Sequence, residues 1–118
     1  EIEIFEKFPD LIDIYRCSTG FVHEGPQEYQ IEFVNKCIKE IEEKLKKQRY
    51  DMVVFDELSI ALSTGLISRE DTERLIQLLD NAEVIITGRN APEWLIEKAD
   101  LVTEMKKIKH YFDKGIRA

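Results

Sequence analysis

Two short apolar runs constrain the fold of this chain more than any other feature. They are "MVVF", Met52–Phe55, and "VII", residues 84–86. Neither run alternates apolar with polar residues, so each predicts a strand that is covered on both faces of a sheet. Because a helical pattern separates them, the sequence predicts an α/β fold with a mostly parallel sheet and helices on both faces.

The rest of the chain supplies further predicted elements. Apolar residues repeat at helical spacing in residues 26–49, and a second helix begins at a cap formed by Ser68 and Asp71. A short helix is predicted near Pro92. Strands are predicted at residues 11–17, 51–55, 83–88 and 100–105. Residues 1–118 are therefore expected to form a single α/β domain.

Composition narrows the possible functions. The net charge of −7 argues against a general binder of nucleic-acid backbones, although a local cluster can still bind a nucleotide. No apolar run approaches the ~20 residues of a membrane helix. Cys17 and Cys37 show no metal-binding spacing and predict two buried thiols in a reducing compartment. These features predict a cytoplasmic protein without a membrane partner.

Polar segments follow each predicted strand. They are residues 18–25, the pair Asp56 and Glu57, the "TGRN" turn at 87–90, and the basic stretch after Met105. The carboxyl ends of parallel strands meet at one edge of a sheet, where α/β proteins bind ligands. The sequence therefore predicts one ligand site at this edge.

Asp56 and Glu57 end a predicted core strand, where burying bare carboxylates would cost several kcal/mol. An apolar strand ending in two acids has the pattern of a Walker B segment, whose acid holds Mg²⁺. An acid at this position can also cap the following helix. The motif alone leaves both interpretations open.

Three other residues are each open to more than one interpretation. Arg89 can bind a phosphate through both guanidinium nitrogens or be an ordinary surface arginine. Phe21 can contact a flat ligand or pack into the core. His23 can be a ligand, a proton carrier or a loop residue.

Several stretches occur together in the order typical of one family. They are "TGFVHEG", "YDMVVFDEL", "EVIITGR", "LIEKADLVTEMKKIKH" and "FDKGIRA". Through them the chain resembles the P-loop-type ATP:corrinoid adenosyltransferases over residues 12–118. The stretch "KADLVTEMKKIKHYFDKGI" is the most specific. The resemblance implies a P-loop NTPase fold of the RecA-like type.

The resemblance also implies a reaction. The enzyme transfers the 5′-deoxyadenosyl group of ATP to the Co(I) of a reduced corrinoid and releases triphosphate, in adenosylcobalamin biosynthesis or salvage. Mg²⁺ is the implied cofactor, an electron-donating flavoprotein reductase is the implied partner, and a homodimer is the implied assembly.

Family roles carry over to eight residues. Asp56 and Glu57 match the catalytic, Mg²⁺-binding acids. The nucleotide-binding turn corresponds to Thr87, Gly88 and Arg89, and the corrinoid-binding loop to Gly20, Phe21 and His23.

The chain departs from the family pattern in two places. His23 occupies a position that is often Trp. No GxxxxGKS/T phosphate loop occurs in the 118 residues, although family members carry one on a first strand upstream. We therefore expect the C-terminal portion of a longer adenosyltransferase, inactive by itself. The alternative is a non-catalytic corrinoid-binding module that has lost its ATP site.

Overall fold

The computed structural model describes residues 1–19 and 25–115. Its helices and strands, in chain order, are α1 Ile2–Phe5, α2 Glu28–Lys47, β1 Met52–Phe55, α3 Leu58–Thr64, α4 Arg69–Gln77, β2 Glu83–Ile86 and α5 Glu93–Lys98, followed by a 3-10 turn at Tyr111–Lys114. Strands β1 and β2 pair in parallel, with Val54 opposite Ile85 and Phe55 opposite Ile86. The predicted α/β fold with a parallel sheet is confirmed.

The long helix α2 forms where its apolar stripe predicts it, two residues inside each predicted end. The backbone N–H of Gln27 donates to Oε1 of Gln30 at 2.9 Å, which satisfies one amide at the helix start. Three lysines occupy the last turn, where cations favour the helix dipole. Helix α4 begins at the predicted cap, because Asp71 N–H donates to Ser68 Oγ at 3.1 Å.

The core lies on one side of the sheet. Val34 and Ile38 of α2 pack with Ile67 and Leu75, and Phe55 of β1 packs against this cluster. The neighbouring strand residues point to the opposite face because side chains alternate along a strand. On that opposite face Met52, Val54 and Ile85 are exposed. The expected cover on both faces is therefore seen on only one face within the part of the chain described.

Two predicted strands are wrong. Residues 11–17 and 100–105 form no strand, and the described part of the chain contains one sheet of two strands. Their apolar residues are exposed, with Leu11 at 82% and Leu101 at 84%. A strand is stable only when a neighbour pairs with its backbone groups. The local sequence predicted these two strands, but no neighbouring strand pairs with either segment in the described part of the chain.

The two cysteines also differ from the expectation of free buried thiols. Cys17 and Cys37 form a disulfide, with their Cα atoms 6.1 Å apart. Cys37 is buried on α2, whereas Cys17 is exposed. The bond attaches the segment before residue 20 to the middle of α2. Separately, none of the described helices combines the length and the apolarity needed to cross a membrane.

Candidate functional site

The ends of β1 and β2 bring three of the predicted site residues together. Thr87 follows β2, and its backbone N–H donates to the Phe55 carbonyl at 3.2 Å. The Thr87 carbonyl accepts from the Ser59 N–H of α3, also at 3.2 Å. These bonds hold Thr87 beside Asp56 and Glu57, at the carboxyl edge of the parallel pair.

The Thr87 side chain connects the two acidic positions. Its hydroxyl donates to Oδ1 of Asp56 at 2.8 Å. The same oxygen accepts the backbone N–H of Glu57 at 3.1 Å. Among the described residues, no further hydrogen bond or ion pair reaches the Asp56 carboxylate. One carboxylate oxygen is therefore held in place and the other is available to a ligand.

Both acids are exposed to solvent. The premise that they are buried at the tip of a core strand was wrong, because the chain turns outward as soon as β1 ends. Water can solvate the two carboxylates, so burial imposes no desolvation penalty on their charge. The two carboxylates can therefore remain charged at this position without a bound metal.

The alternative that the acids only cap the next helix does not describe these side chains. Glu57 occupies the N-cap position of α3, yet its side chain makes no capping hydrogen bond. Asp56 instead accepts from Thr87. Glu57 also adopts a left-handed backbone conformation, with φ 60° and ψ 20°. Non-glycine residues held in this region are strained and occur often at functional sites.

Gly88 lets the turn after β2 pass close to α3. Its φ is +135°, and a Cβ placed there would lie 3.0 Å from Cβ of Ser59 and 3.2 Å from its backbone nitrogen. A larger residue would require the start of α3 to shift by a few tenths of an ångström, and its backbone would be strained at this positive φ. Arg89 comes next and is exposed. Within residues 1–19 and 25–115 its guanidinium makes no ion pair, which leaves it available to an anion.

The donor groups at this edge suit Mg²⁺ better than a metal that needs a full protein cage. No cluster of three or more His, Cys, Asp or Glu side chains able to hold a metal occurs in the described residues. Mg²⁺ is usually held by one or two carboxylates, with water and substrate phosphates completing its shell. Asp56 and Glu57 fit this requirement.

The predicted corrinoid-binding residues Gly20, Phe21 and His23 lie outside the described residues. The structure does describe how the chain is attached on either side of them. Gln30, which is 2% exposed, donates from Nε2 to the Thr19 carbonyl at 3.5 Å. Together with the Cys17–Cys37 disulfide, this contact holds the start of the loop against α2.

Sequence reasoning missed Ser59 and Gln30. Ser59 is 3% exposed and contacts the turn at Thr87 and Gly88. A small residue shortly after the acid pair was the available clue, but its partner is about thirty residues away in sequence. Gln30 was missed because a glutamine in a helix resembles any solvated residue.

The geometry of this edge defines the class of protein. This is an α/β protein with exposed carboxylates, a threonine and a Gly-Arg turn at the carboxyl end of its parallel strands, where such folds bind ligands. The family model described as "ATP:corrinoid adenosyltransferase BtuR/CobO/CobP" matches residues 1–118. The chain belongs to this family, and the resemblance seen in the sequence is confirmed.

Curated relatives agree. A corrinoid adenosyltransferase of Sinorhizobium sp. is 38% identical over 122 residues, covering 100% of this chain and 57% of the relative. One from Pseudomonas aeruginosa is 33% identical over 120 residues, covering 100% of this chain and 59% of the relative. One from Escherichia coli K12 is 35% identical over 69 residues, covering 58% of this chain and 35% of the relative.

The chain thus spans less than two thirds of the length of these relatives. No solved structure matches it significantly.

Proposed function

We propose that the protein transfers the 5′-deoxyadenosyl group of ATP to the Co(I) of a reduced corrinoid. The observation that carries this proposal is the hydrogen-bonded group of Asp56, Glu57 and Thr87 at the sheet edge, in a chain of this family. The name of the relatives, corrinoid adenosyltransferase, supports the same activity. The proposed architecture is the RecA-like P-loop NTPase fold, acting in the cytoplasm as a homodimer.

The reaction sets the demands on the site. The cobalt electron pair forms a bond to C5′ of ATP, the C5′–O bond breaks, and its electrons leave with the triphosphate. The leaving group gains negative charge, and preorganised positive groups stabilise such charge effectively. Mg²⁺, when bound, supplies part of this stabilisation, and Asp56 and Glu57 would hold it. No base is needed at C5′, because cobalt carries no proton to remove.

The turn after β2 suits the nucleotide. Arg89 presents a guanidinium that can donate two parallel hydrogen bonds to a phosphate. Gly88 has no side chain to block a ligand from the backbone. A corrinoid would bind at Gly20, Phe21 and His23, with an electron-donating flavoprotein reductase providing the Co(I) state.

The first test removes the acids from the full-length protein. We expect Asp56→Ala and Glu57→Ala each to lower the adenosylation rate by roughly 10²-fold, as loss of a charge-stabilising group often does. Both variants should keep a cooperative melting transition, because the carboxylates are exposed. The rate is followed by the spectral change from cob(I)alamin to adenosylcobalamin.

The controls for this test are Glu70→Ala and Asp80→Ala, which remove exposed acids elsewhere. If all four variants keep the wild-type rate, the metal assignment fails. If the wild-type full-length protein binds corrinoid but forms no adenosylcobalamin, the proposed enzyme activity is wrong and the alternative function, a non-catalytic corrinoid-binding module, is supported.

A second test addresses the corrinoid loop. We expect Phe21 to exclude water and an axial ligand from one face of cobalt, which favours the four-coordinate state and eases reduction. Phe21→Ala should therefore lose most four-coordinate cob(II)alamin in the ATP-bound full-length protein, measured by electron paramagnetic resonance. His23→Ala should change the spectrum much less. Nitrogen hyperfine splitting that disappears in His23→Ala would show that His23 ligates cobalt and would contradict this assignment.

A further inference from the structure

We infer that Thr87 is a positioning residue that orients the Asp56 carboxylate toward the cation, and that its hydroxyl makes no contact with the nucleotide. The inference rests on the proposed function and assigns Thr87 a different task from the nucleotide contact that family resemblance implied. It starts from two hydrogen bonds at one side-chain oxygen. These are the 2.8 Å bond to Asp56 and the 3.1 Å bond from the Glu57 N–H.

The capacity of a hydroxyl group decides between the two tasks. A threonine hydroxyl has one hydrogen to donate. Here that hydrogen is donated to Oδ1 of Asp56. Phosphate oxygens that carry charge accept hydrogen bonds and do not donate them. The hydroxyl therefore cannot donate to a triphosphate while it holds Asp56.

The hydroxyl is also held on a rigid support. Thr87 is half-buried, and both its backbone groups are bonded, to Phe55 of β1 and to Ser59 of α3. A β-branched side chain has few χ1 rotamers, so fixing the backbone largely fixes the oxygen. A neighbour placed in this way limits rotation of the exposed Asp56 carboxylate, which would otherwise sample many orientations.

Restricting the carboxylate affects cation binding. An Asp56 carboxylate that rotated freely would lose this freedom when a metal binds, and the entropy loss would weaken binding. A carboxylate that Thr87 already holds loses less entropy. With Oδ1 held by Thr87, Oδ2 remains for the cation. The second bond adds to the effect, since it anchors the backbone of Glu57 in its left-handed conformation. One hydroxyl thus fixes both carboxylate-bearing positions.

Three substitutions in the full-length protein separate the hydroxyl from the shape of the side chain. Thr87→Val keeps the branched shape and removes the hydroxyl, whereas Thr87→Ser keeps the hydroxyl. Thr87→Ala serves if the valine variant does not fold. The probe is Mn²⁺ alone, without nucleotide or corrinoid, measured from the loss of the free-ion paramagnetic resonance signal.

We expect Thr87→Val to weaken Mn²⁺ binding by about 10-fold, the usual effect of losing a partner that orients a metal ligand. Thr87→Ser should stay within about 3-fold of wild type, because it keeps the hydroxyl that bonds Asp56 and loses only the rotamer restriction of the β-branch. In an Asp56→Ala background, Thr87→Val should weaken binding by much less than it does in the wild type, because only the bond to the Glu57 backbone is then left to lose. At saturating Mg²⁺, the KM for ATP should be unchanged in Thr87→Val.

The outcomes distinguish this inference from the proposed function. If Asp56→Ala weakens Mn²⁺ binding but Thr87→Val does not, the positioning role is overturned and the metal assignment stands. Equal weakening by the valine and serine variants also overturns it, as does a raised KM for ATP at saturating Mg²⁺. If Asp56→Ala itself binds Mn²⁺ like wild type, the metal assignment falls and the inference falls with it.

Discussion

At the residue scale, Glu57 shows a conflict between backbone preference and side-chain chemistry. An L-residue in the left-handed region costs roughly 1–2 kcal/mol, and glycine adopts the same region freely. The chain nevertheless places a glutamate there, at φ 60°. The side chain does not repay this strain by capping α3, which is consistent with a role in binding.

This conflict predicts that two substitutions at residue 57 differ in stability but not in activity. In the full-length protein, Glu57→Gly should unfold with a free energy about 1 kcal/mol higher than that of Glu57→Ala, because only glycine relieves the strain. Both variants should lose adenosylation equally, since both lack the carboxylate. Urea denaturation measures the first quantity. Equal stabilities of the two variants would show that residue 57 is not strained.

At the scale of elements, α2 anchors the irregular segment that precedes the loop at residue 20. The Tyr15 hydroxyl donates to Oε2 of Glu40 on α2, and the Lys44 ammonium lies 5.8 Å from the centre of the Tyr15 ring. Tyr50, just after α2, donates to Oδ2 of Asp13 at 2.7 Å. With the disulfide, these contacts hold residues 13–17 without any strand pairing.

The contact between Tyr15 and α2 predicts a loss of stability at alkaline pH. Burial, the hydrogen bond to Glu40 and the charge of Glu40 raise the Tyr15 pKa from 10.0 to about 12. The hydrogen bond to Asp13, followed by burial, also raises the Tyr50 pKa. Below pH 10, both folded and unfolded Tyr15 are protonated, so this contribution to stability is complete. Between pH 10 and 12, the unfolded state loses the proton first, and stability falls as pH rises.

We therefore expect the Tyr15→Phe variant of the full-length protein to lose less stability than wild type between pH 9 and 11, measured by urea denaturation. Absorbance at 295 nm should also show one fewer tyrosine titrating at high pH. Tyr29→Phe is the matched control, because Tyr29 lies exposed on α2, the helix that Tyr15 contacts. A variant that follows the wild-type pH dependence would show that Tyr15 does not hold the segment.

At the scale of the whole molecule, the chain exposes apolar surface. It also spans 57% to 59% of the length of the two relatives that align with all of its residues. The open face of the sheet carries Met52 and Val54, more than half exposed. The printed sequence also contains no GxxxxGKS/T motif. Such a loop holds phosphates through backbone amides and a lysine.

We expect the 118-residue chain, assayed alone with ATP, Mg²⁺ and cob(I)alamin, to form adenosylcobalamin more than 10²-fold slower than the full-length protein. The physical reason is the missing set of preorganised amides and lysine, since even one such donor usually contributes about 10²-fold or more to the rate. Circular dichroism of the same sample checks that it is folded. A folded chain that turns over at the full-length rate would show that the phosphate loop is dispensable.

Local patterns predicted the elements whose formation depends on near neighbours. Each signal involves residues that are close in sequence, within one or two helical turns or one strand. The examples are the apolar spacing of α2, the Ser68 cap of α4 and the apolar runs of β1 and β2. The pattern failed at residues 11–17 and 100–105, because strand formation needs a partner that a local window does not contain. It also failed for Cys17 and Cys37, whose pairing depends on how the first segment lies across α2.

The sequence by itself determined the α/β class, the family and the placement of acids and a Gly-Arg turn after two parallel strands. Periodicity and motif order are properties of the chain and need no coordinates. Only the tertiary structure decided that Asp56 and Glu57 are exposed, that Glu57 is left-handed, and that the Thr87 hydroxyl binds Asp56. These facts depend on the register between β1 and β2, which brings residues about thirty positions apart to 2.8 Å.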